Sequence, residues 1–254
     1  MVTTIFKGGM GNQMFQYAIG RIIAEHKGHK LSVGDPDNVK HKMFDVFKNA
    51  ALIDGREDHN NPMTIGNDLQ YFDLEAAKNH QGAVVLYGYW QKHYYYTKYR
   101  DQIRQWFTYD DSAYEKPNAN DLVLHVRLGD QLHPEPIGLP ATAEAYVDLI
   151  KRIPHERCLL ISDEPDEPWL APPRAHPTVK VRKGTQMEDF TLLKYAKKAI
   201  ISQSTFAWWA TYLGEPEKIW APLCADGRRN WRLCPAAQDI DLIPMDNTYQ
   251  IFKI

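Results

Sequence analysis

The chain has 254 residues, 44% of them hydrophobic and 24% charged, with a formal net charge of −2. That length allows one large domain or two small ones with ample core, and the even charge balance provides no basic field to draw in nucleic acid. Cys158, Cys224 and Cys234 are too few and too widely spaced for a disulfide framework or a zinc site, so a reducing, cytosolic setting is expected. No apolar run approaches membrane-spanning length, and the chain reads straight into a strand without a signal-peptide pattern. A soluble cytoplasmic protein is expected, with room for peripheral association with a membrane.

Residues 2–6 are apolar and β-branched and predict a strand. Gly8, Gly9 and Gly11 break that pattern. Met14, Phe15, Tyr17, Ala18, Ile22 and Ile23 then fall at helical spacing, and Gly28 is placed to stop the helix. Residues 30–33 offer a second strand. Residues 34–80, rich in Asp, Asn and Pro, read as loops and short helices. Residues 82–87 predict a strand and 94–107 an aromatic-rich helix. The polar stretch 110–120 reads as a linker between halves.

The second half alternates more cleanly. Strands are predicted at 121–127, 158–162, 179–181, 199–202 and 219–221. Helices are predicted at 141–153, 188–198 and 205–213, with Lys194, Lys197 and Lys198 on a solvated helix face. This alternation argues for an α/β protein with parallel sheets covered on both faces.

Several residue groups are placed for chemistry. The segment from His125 to Asp130 follows the apolar run Leu122-Val123-Leu124, so it sits at a strand exit, where α/β sheets bind ligands. An Arg there can hold a phosphate with its planar fork, or can pair with Asp130 and do nothing more. His125 lies two residues before Arg127, on the same strand face. Ser204, Thr205 and Phe206 open a helix after a strand. Free N–H groups at such a start bind anions, although a Ser or Thr cap needs no ligand to be favoured there. Asp163 stands at another strand exit. Asp189, next to Glu188, is a first-turn helix acid of the kind the dipole favours anyway. Gly8, Gly9 and Gly11 let backbone approach a ligand closely, and Asn12 and Gln13 follow with amides; a tight strand-to-helix turn would use the same residues. Tyr87 to Gln91 is aromatic-rich. Core packing explains most of it, with Gln91 the best polar candidate for a ligand.

Two other readings compete. The Gly-rich turn, with Asp35 after the second strand, imitates a dinucleotide fingerprint, which would make the protein an NAD(P)-dependent oxidoreductase. Gly9-Met10-Gly11-Asn12-Gln13-Met14 lacks the third Gly that fingerprint needs. The Asp-x-Asp strings Asp35-Pro36-Asp37 and Asp239-Ile240-Asp241 are of a length that arises by chance, and Pro36 marks a turn.

Five segments in order resemble the family 11 glycosyltransferases, the α-1,2-fucosyltransferases that use GDP-fucose. They are Gly8 to Tyr17, Tyr87 to Gln91 with Tyr94 to Tyr96 behind it, His125 to Asp130, Ile161 to Glu164, and Ser202 to Trp209. The resemblance implies a GT-B-like architecture, two Rossmann-like halves with parallel sheets facing a cleft. Residues 1–115 would form the acceptor-side half and 116–254 the nucleotide-sugar half. It implies inverting transfer to the 2-hydroxyl of a galactoside within a galactose-containing glycan, with no metal and no cofactor beyond the donor. Arg127 would be the main pyrophosphate contact, with His125 on the nucleotide or a phosphate. Ser204 and Thr205, with Phe206, would bind the β-phosphate. Asp189 would accept from guanine, with Glu188 as its rival, and Asp163 would line the same pocket. Gly9, Gly11, Asn12 and Gln13 would lie near the fucose and acceptor, Asn12 bonding the attacking hydroxyl. Tyr89 and Gln91 would line the acceptor side. Asp130 would orient Arg127 or its loop. The base stays open among Asp130, Glu135, His133 and Asn12. Leu128 replaces an Arg common in the family, and Gln203 replaces its usual Asn. Those two departures feed a third reading, a non-catalytic sugar-binding protein on a transferase fold.

Overall fold

A computed structural model describes residues 1–34, 43–66, 72–129, 132, 141–223, 241–244 and 246–253. The chain divides into two compact units. One comprises Met1–Asp110 with Asp239–Asp241, the other Asp111–Gln238 with Leu242–Ile254. Each is an α/β unit around one parallel sheet, as the alternation of patterns predicts.

In the first unit the sheet contains β1 (Val2–Ile5), β2 (Leu31–Gly34), β3 (Met63–Gly66) and β4 (Val84–Tyr87) in the order β2-β1-β4-β3, all parallel. α1 (Met10–Lys27) follows β1 and is buried along most of its length, from Met10 to Ala24. It ends at Gly28, whose φ of 62° allows its N–H to turn back onto the Ala24 and Glu25 carbonyls. α2 (Met43–Val46), α3 (Leu74–Asn79) and α4 (Arg100–Trp106) complete the unit. The strand β3 falls in the stretch 34–80 read as loops and short helices. It is four residues long and pairs only with β4, so its pattern is too short to stand out.

The helix expected over 94–107 is instead two 3₁₀ turns, His93–Tyr95 and Thr97–Tyr99, followed by α4. Tyr95 and Tyr96 are adjacent and both buried. One α-helical stripe does not bury two consecutive large side chains well. Tyr95 instead packs against Phe72, and Tyr96 against Phe15 with its hydroxyl on the Trp90 carbonyl.

Among the described residues the second unit has six parallel strands. They are β5 (Leu122–Val126), β6 (Cys158–Ser162), β7 (Val179–Val181), β8 (Lys198–Ile200), β9 (Lys218–Leu223) and β10 (Tyr249–Lys253), in the order β10-β9-β8-β5-β6-β7. β5 and β6 are buried at every position, as continuous apolar strands of a parallel sheet should be. Between them run α5 (Ala143–Arg152), α6 (Ala171–Arg174), α7 (Gln186–Tyr195) and α8 (Thr205–Leu213). The edge strand β10 was not foreseen from the sequence. Helix α7 ends three residues before its expected stop, because Lys198 opens β8. The lysines therefore do not share a helix face, and Lys194 bonds Asp111 instead.

The strand order has a direct consequence. From β5 the chain builds outward through β6 and β7, then crosses back and builds the other way through β8, β9 and β10. This is the doubly wound order whose reversal point is the ligand crevice in α/β proteins. In the second unit that point lies between β5 and β8. In the first unit it lies between β1 and β4.

Gly214 closes α8, its N–H bonding Ala210 and Thr211. A Cβ there would lie 1.9 Å from the Lys194 carbonyl oxygen. Gly214→Ala is expected to destabilise the protein by about 2 kcal/mol, measurable as a lower urea midpoint with an unchanged slope.

Candidate functional site

The reversal point of the second unit brings together five of the sequence-predicted donor residues, His125, Arg127, Ser204, Thr205 and Phe206. β5 ends on Val126 and β8 on Ile200, so His125 and Arg127 stand opposite the segment from Ser202 to Phe206. The Ser202 hydroxyl lies 2.9 Å from His125 Nδ1 and accepts the Arg127 backbone N–H at 3.0 Å. The His125 ring also packs beside Phe206, with centroids 6.0 Å apart, and Phe206 packs in turn on Phe190. Burial pushes the His125 pKa down to about 3, and the charge of Arg127 adds to the effect, against a weaker opposing pull from its own backbone carbonyl. His125 is therefore neutral at any ordinary pH.

Asp163, at the exit of β6, accepts the backbone N–H of Leu128 at 2.8 Å and of Gly129 at 3.2 Å. Both carboxylate oxygens are thus used to shape the loop that follows Arg127. A side chain on Gly129 would collide with Asp163, since its Cβ would lie 2.9 Å from Oδ2. Asp163 shapes the pocket through the backbone. Leu128 is fully buried in the core beneath. That explains an apolar residue at its place, and Arg127 alone carries the charge there. Asp130, with His133 and Glu135, lies outside the described residues.

Ser204 caps α8, its hydroxyl accepting the Ala207 N–H. The N–H groups of Thr205 and Phe206 have no acceptor among the described residues, the usual state of a helix start. Trp208 and Trp209 are wholly buried, as expected of core aromatics.

Helix α7 decides between the two acids at its start. Glu188 completes a capping box with Thr185, each side chain bonding the other's backbone. Glu188 is thereby committed to the helix. Asp189 is not: its Oδ1 is buried without a hydrogen-bond partner among the described residues. Burial first, and the Glu188 charge second, push its pKa up to about 7 against the opposing pull of Arg182. A buried carboxylate oxygen without a donor is costly and calls for one from outside the protein.

In the first unit the Gly-rich turn is used differently from expectation. Gly8 has φ +72°, and a Cβ on it would lie 2.5 Å from Asn12 Nδ2. Glycine is required there by both backbone and packing. Gly9 caps α1 with no side chain, and a Cβ on it would meet nothing within 4 Å. Gly11 is buried inside the first turn of α1. Gln13 is also buried: its Nε2 bonds the Gly8 carbonyl and its Oε1 takes the Met43 N–H. That corrects the expectation that Gln13 reaches a ligand, because backbone groups already hold both ends of its amide. Asn12 accepts from Gln91 Nε2 at 2.9 Å, joining two of the predicted residues across the β1–β4 reversal point. Gln91 is itself buried, so it positions Asn12. Tyr89 is half-buried.

Two residues escaped the sequence reading. Ser202 precedes the residues expected to bind, and only the register of β8 against β5 reveals its contacts. Gln16 bonds the Lys7 N–H and the Gly88 carbonyl and so ties together the two loops of the first unit. Among the described residues no three His, Cys, Asp or Glu side chains gather as a metal site, and no helix is long and apolar enough to cross a membrane.

Known proteins bear on this arrangement. The family model described as Glycosyl transferase family 11 matches residues 173–221. That stretch carries Asp189, Ser202 and Ser204 and runs from the end of α6 into β9. The chain is also 24% identical over 255 residues to an alpha-1,2-colitosyltransferase of Escherichia coli, covering 84% of this chain and 87% of the relative. These matches support a family 11 glycosyltransferase. A crystal structure of NodZ alpha-1,6-fucosyltransferase soaked with GDP-fucose superposes with a TM-score of 0.46 at 13% identity, over 84% of this chain and 92% of that one. So loose a superposition carries no weight for function. The family 11 matches leave the oxidoreductase reading without support.

The raised pKa of Asp189 has a measurable consequence. The native state holds this proton more tightly than the unfolded chain does. Its contribution to stability therefore falls as pH rises from about 4, the unfolded value, through about 7. Asp189→Asn is expected to melt higher relative to the parent at pH 8 than at pH 5. Equal shifts at the two pH values would contradict the buried carboxylate described here.

Proposed function

We propose that the protein is an inverting fucosyltransferase that moves L-fucose from GDP-β-L-fucose to the 2-hydroxyl of a galactoside, without a metal. The observation that carries this reading is the unpartnered Oδ1 of Asp189, in the same unit as Arg127 and the start of α8. Guanine offers two adjacent donors, N1–H and the 2-amino group, and a carboxylate is their natural acceptor. Adenine offers no such pair. A guanine bound there would favour the charged carboxylate, so nucleotide binding would release a proton near neutral pH.

The chemistry follows from charge. Breaking the bond between fucose and phosphate builds an oxocarbenium-like sugar and a negative pyrophosphate. Arg127 and the N–H groups of Thr205 and Phe206 are preorganised donors for that negative charge, which makes a metal unnecessary in this reading. Asp163 holds the loop after Arg127, keeping its backbone in place. Asn12 is assigned to the acceptor hydroxyl. Its amide is a hydrogen-bonding group and takes no proton, so its part is orientation. Tyr89 is assigned to the acceptor sugar.

A second donor is favoured by one observation, the similarity to a colitosyltransferase. Colitose is L-fucose without its 3-hydroxyl, so a pocket for one has the shape for the other. GDP-colitose belongs beside GDP-fucose in every assay.

Thermal melting with GDP, GDP-fucose, GDP-colitose, UDP, ADP and NAD, without metal, is the direct test. A ligand at one hundred times its dissociation constant adds roughly 2.7 kcal/mol. Stabilisation by the guanine nucleotides alone is expected; stabilisation by NAD alone would overturn the reading, and none at all would favour a non-catalytic protein. Arg127→Ala should lower transfer by about a hundredfold or more at unchanged melting temperature. EDTA should leave the transfer rate as it is, and a large loss restored by added metal would refute the metal-free mechanism.

A further inference from the structure

The Ser202 hydroxyl has two partners among the described residues, and together they fix the direction of its hydrogen bonds. The Arg127 backbone can only donate, so Ser202 Oγ accepts from it at 3.0 Å. Ser202 is 1% exposed, and among the described residues its hydroxyl proton has one acceptor within reach, His125 Nδ1 at 2.9 Å. Were Nδ1 protonated, two donors would point at Oγ, and the buried hydroxyl proton would have no acceptor at all. The arrangement in which every proton finds a place has the serine donating to a bare Nδ1. The single proton of the neutral ring is then on Nε2. His125 is 7% exposed, and Nε2 has no protein partner among the described residues. The ring lies between the Arg127 strand and Phe206 at the start of α8.

We infer that Ser202 is a positioning residue that locks His125 as the Nε2–H tautomer, making the ring a neutral donor aimed at an anionic oxygen of the bound nucleotide while holding the Arg127 backbone in the same grip. In this role His125 neither takes up nor gives up a proton during transfer. It adds a directed hydrogen bond without adding a charge that would hold the product GDP too tightly. The identity of that oxygen rests on the nucleotide-sugar reading, whereas the tautomer does not. The groups facing the ring are Arg127 from its own strand, Ser202 after β8, Phe206 on α8 and the backbone carbonyl of His125 itself, which pulls weakly the other way. Only Arg127 is charged, and its charge opposes protonation of the ring.

The test is long-range ¹H–¹⁵N correlation of the histidine rings in the ligand-free, uniformly labelled protein between pH 5 and 8. His125 is assigned by its loss in His125→Gln. The expected pattern is Nε2 protonated and Nδ1 bare at every pH, with no midpoint in that range. An Nδ1–H pattern, or a midpoint between 6 and 7, would overturn the proposal without any substrate being involved. In Ser202→Ala the ring should leave the single-tautomer pattern, and GDP affinity should fall about tenfold. Ser202→Thr, which keeps the hydroxyl, should retain the pattern. An unchanged tautomer in Ser202→Ala would equally refute the role. If that variant does not fold, the parent's own spectrum still decides. The expected tautomer in a protein that ignores GDP would sink the transferase reading and leave the Ser202 lock standing.

Discussion

The reversal of strand order between β5 and β8 is the constraint on which the second unit depends. Parallel strands carry their chains out at one edge. Where successive connections leave in opposite directions, the exits part and a crevice is left that no side chain of the sheet fills. The groups assigned to the phosphates sit around that crevice: Arg127 on one side, the start of α8 on the other, and Ser202 joining the two sides. The central strands beneath, β5 and β6, are buried throughout. The polar groups at their rim are therefore held on a rigid platform while remaining open to a ligand.

The same logic recurs in the first unit with different residues. There the reversal lies between β1 and β4, and the bridging groups are amides: Gln16 to the Gly88 carbonyl and Gln91 to Asn12. Amides suit a surface that handles neutral hydroxyls, as the cation and the free N–H groups of the second unit suit phosphate. Hydrogen bonding separates two classes of polar residue at these rims. Gln13, Gln91 and Asp163 have their hydrogen bonds satisfied by the protein. Asp189 does not, and that difference singles it out.

Much of this was legible in the sequence, for identifiable reasons. The strands β5 and β6 are continuous apolar runs, and helix α8 begins at a serine cap, so Arg127 and Ser204 could be set at a strand exit and a helix start directly. The strands β3 and β10 were not legible, since neither is buried along its length and neither carries a continuous apolar run like that of β5 or β6. The spacing of Tyr94, Tyr95 and Tyr96 imitates a helical stripe, whereas Tyr95 and Tyr96 are buried against different partners, Phe72 and Phe15. The choice between Glu188 and Asp189 was also beyond the sequence. Both are first-turn acids, and only the capping box with Thr185 shows which one is already engaged. Gln13 was misjudged for a similar reason. Its neighbours suggested a ligand loop, but its partners are backbone groups that only the folded chain brings near.

The central claim is that Asp189 reads guanine through its two donors. Calorimetric titration of GDP and inosine diphosphate at pH 8 tests it most directly, because inosine keeps N1–H and lacks the 2-amino group. The parent protein is predicted to bind GDP about tenfold more tightly than inosine diphosphate, and Asp189→Ala to bind both weakly and alike. A preference for GDP that survives intact in Asp189→Ala would contradict the assignment, and with it the observation on which the proposed function stands.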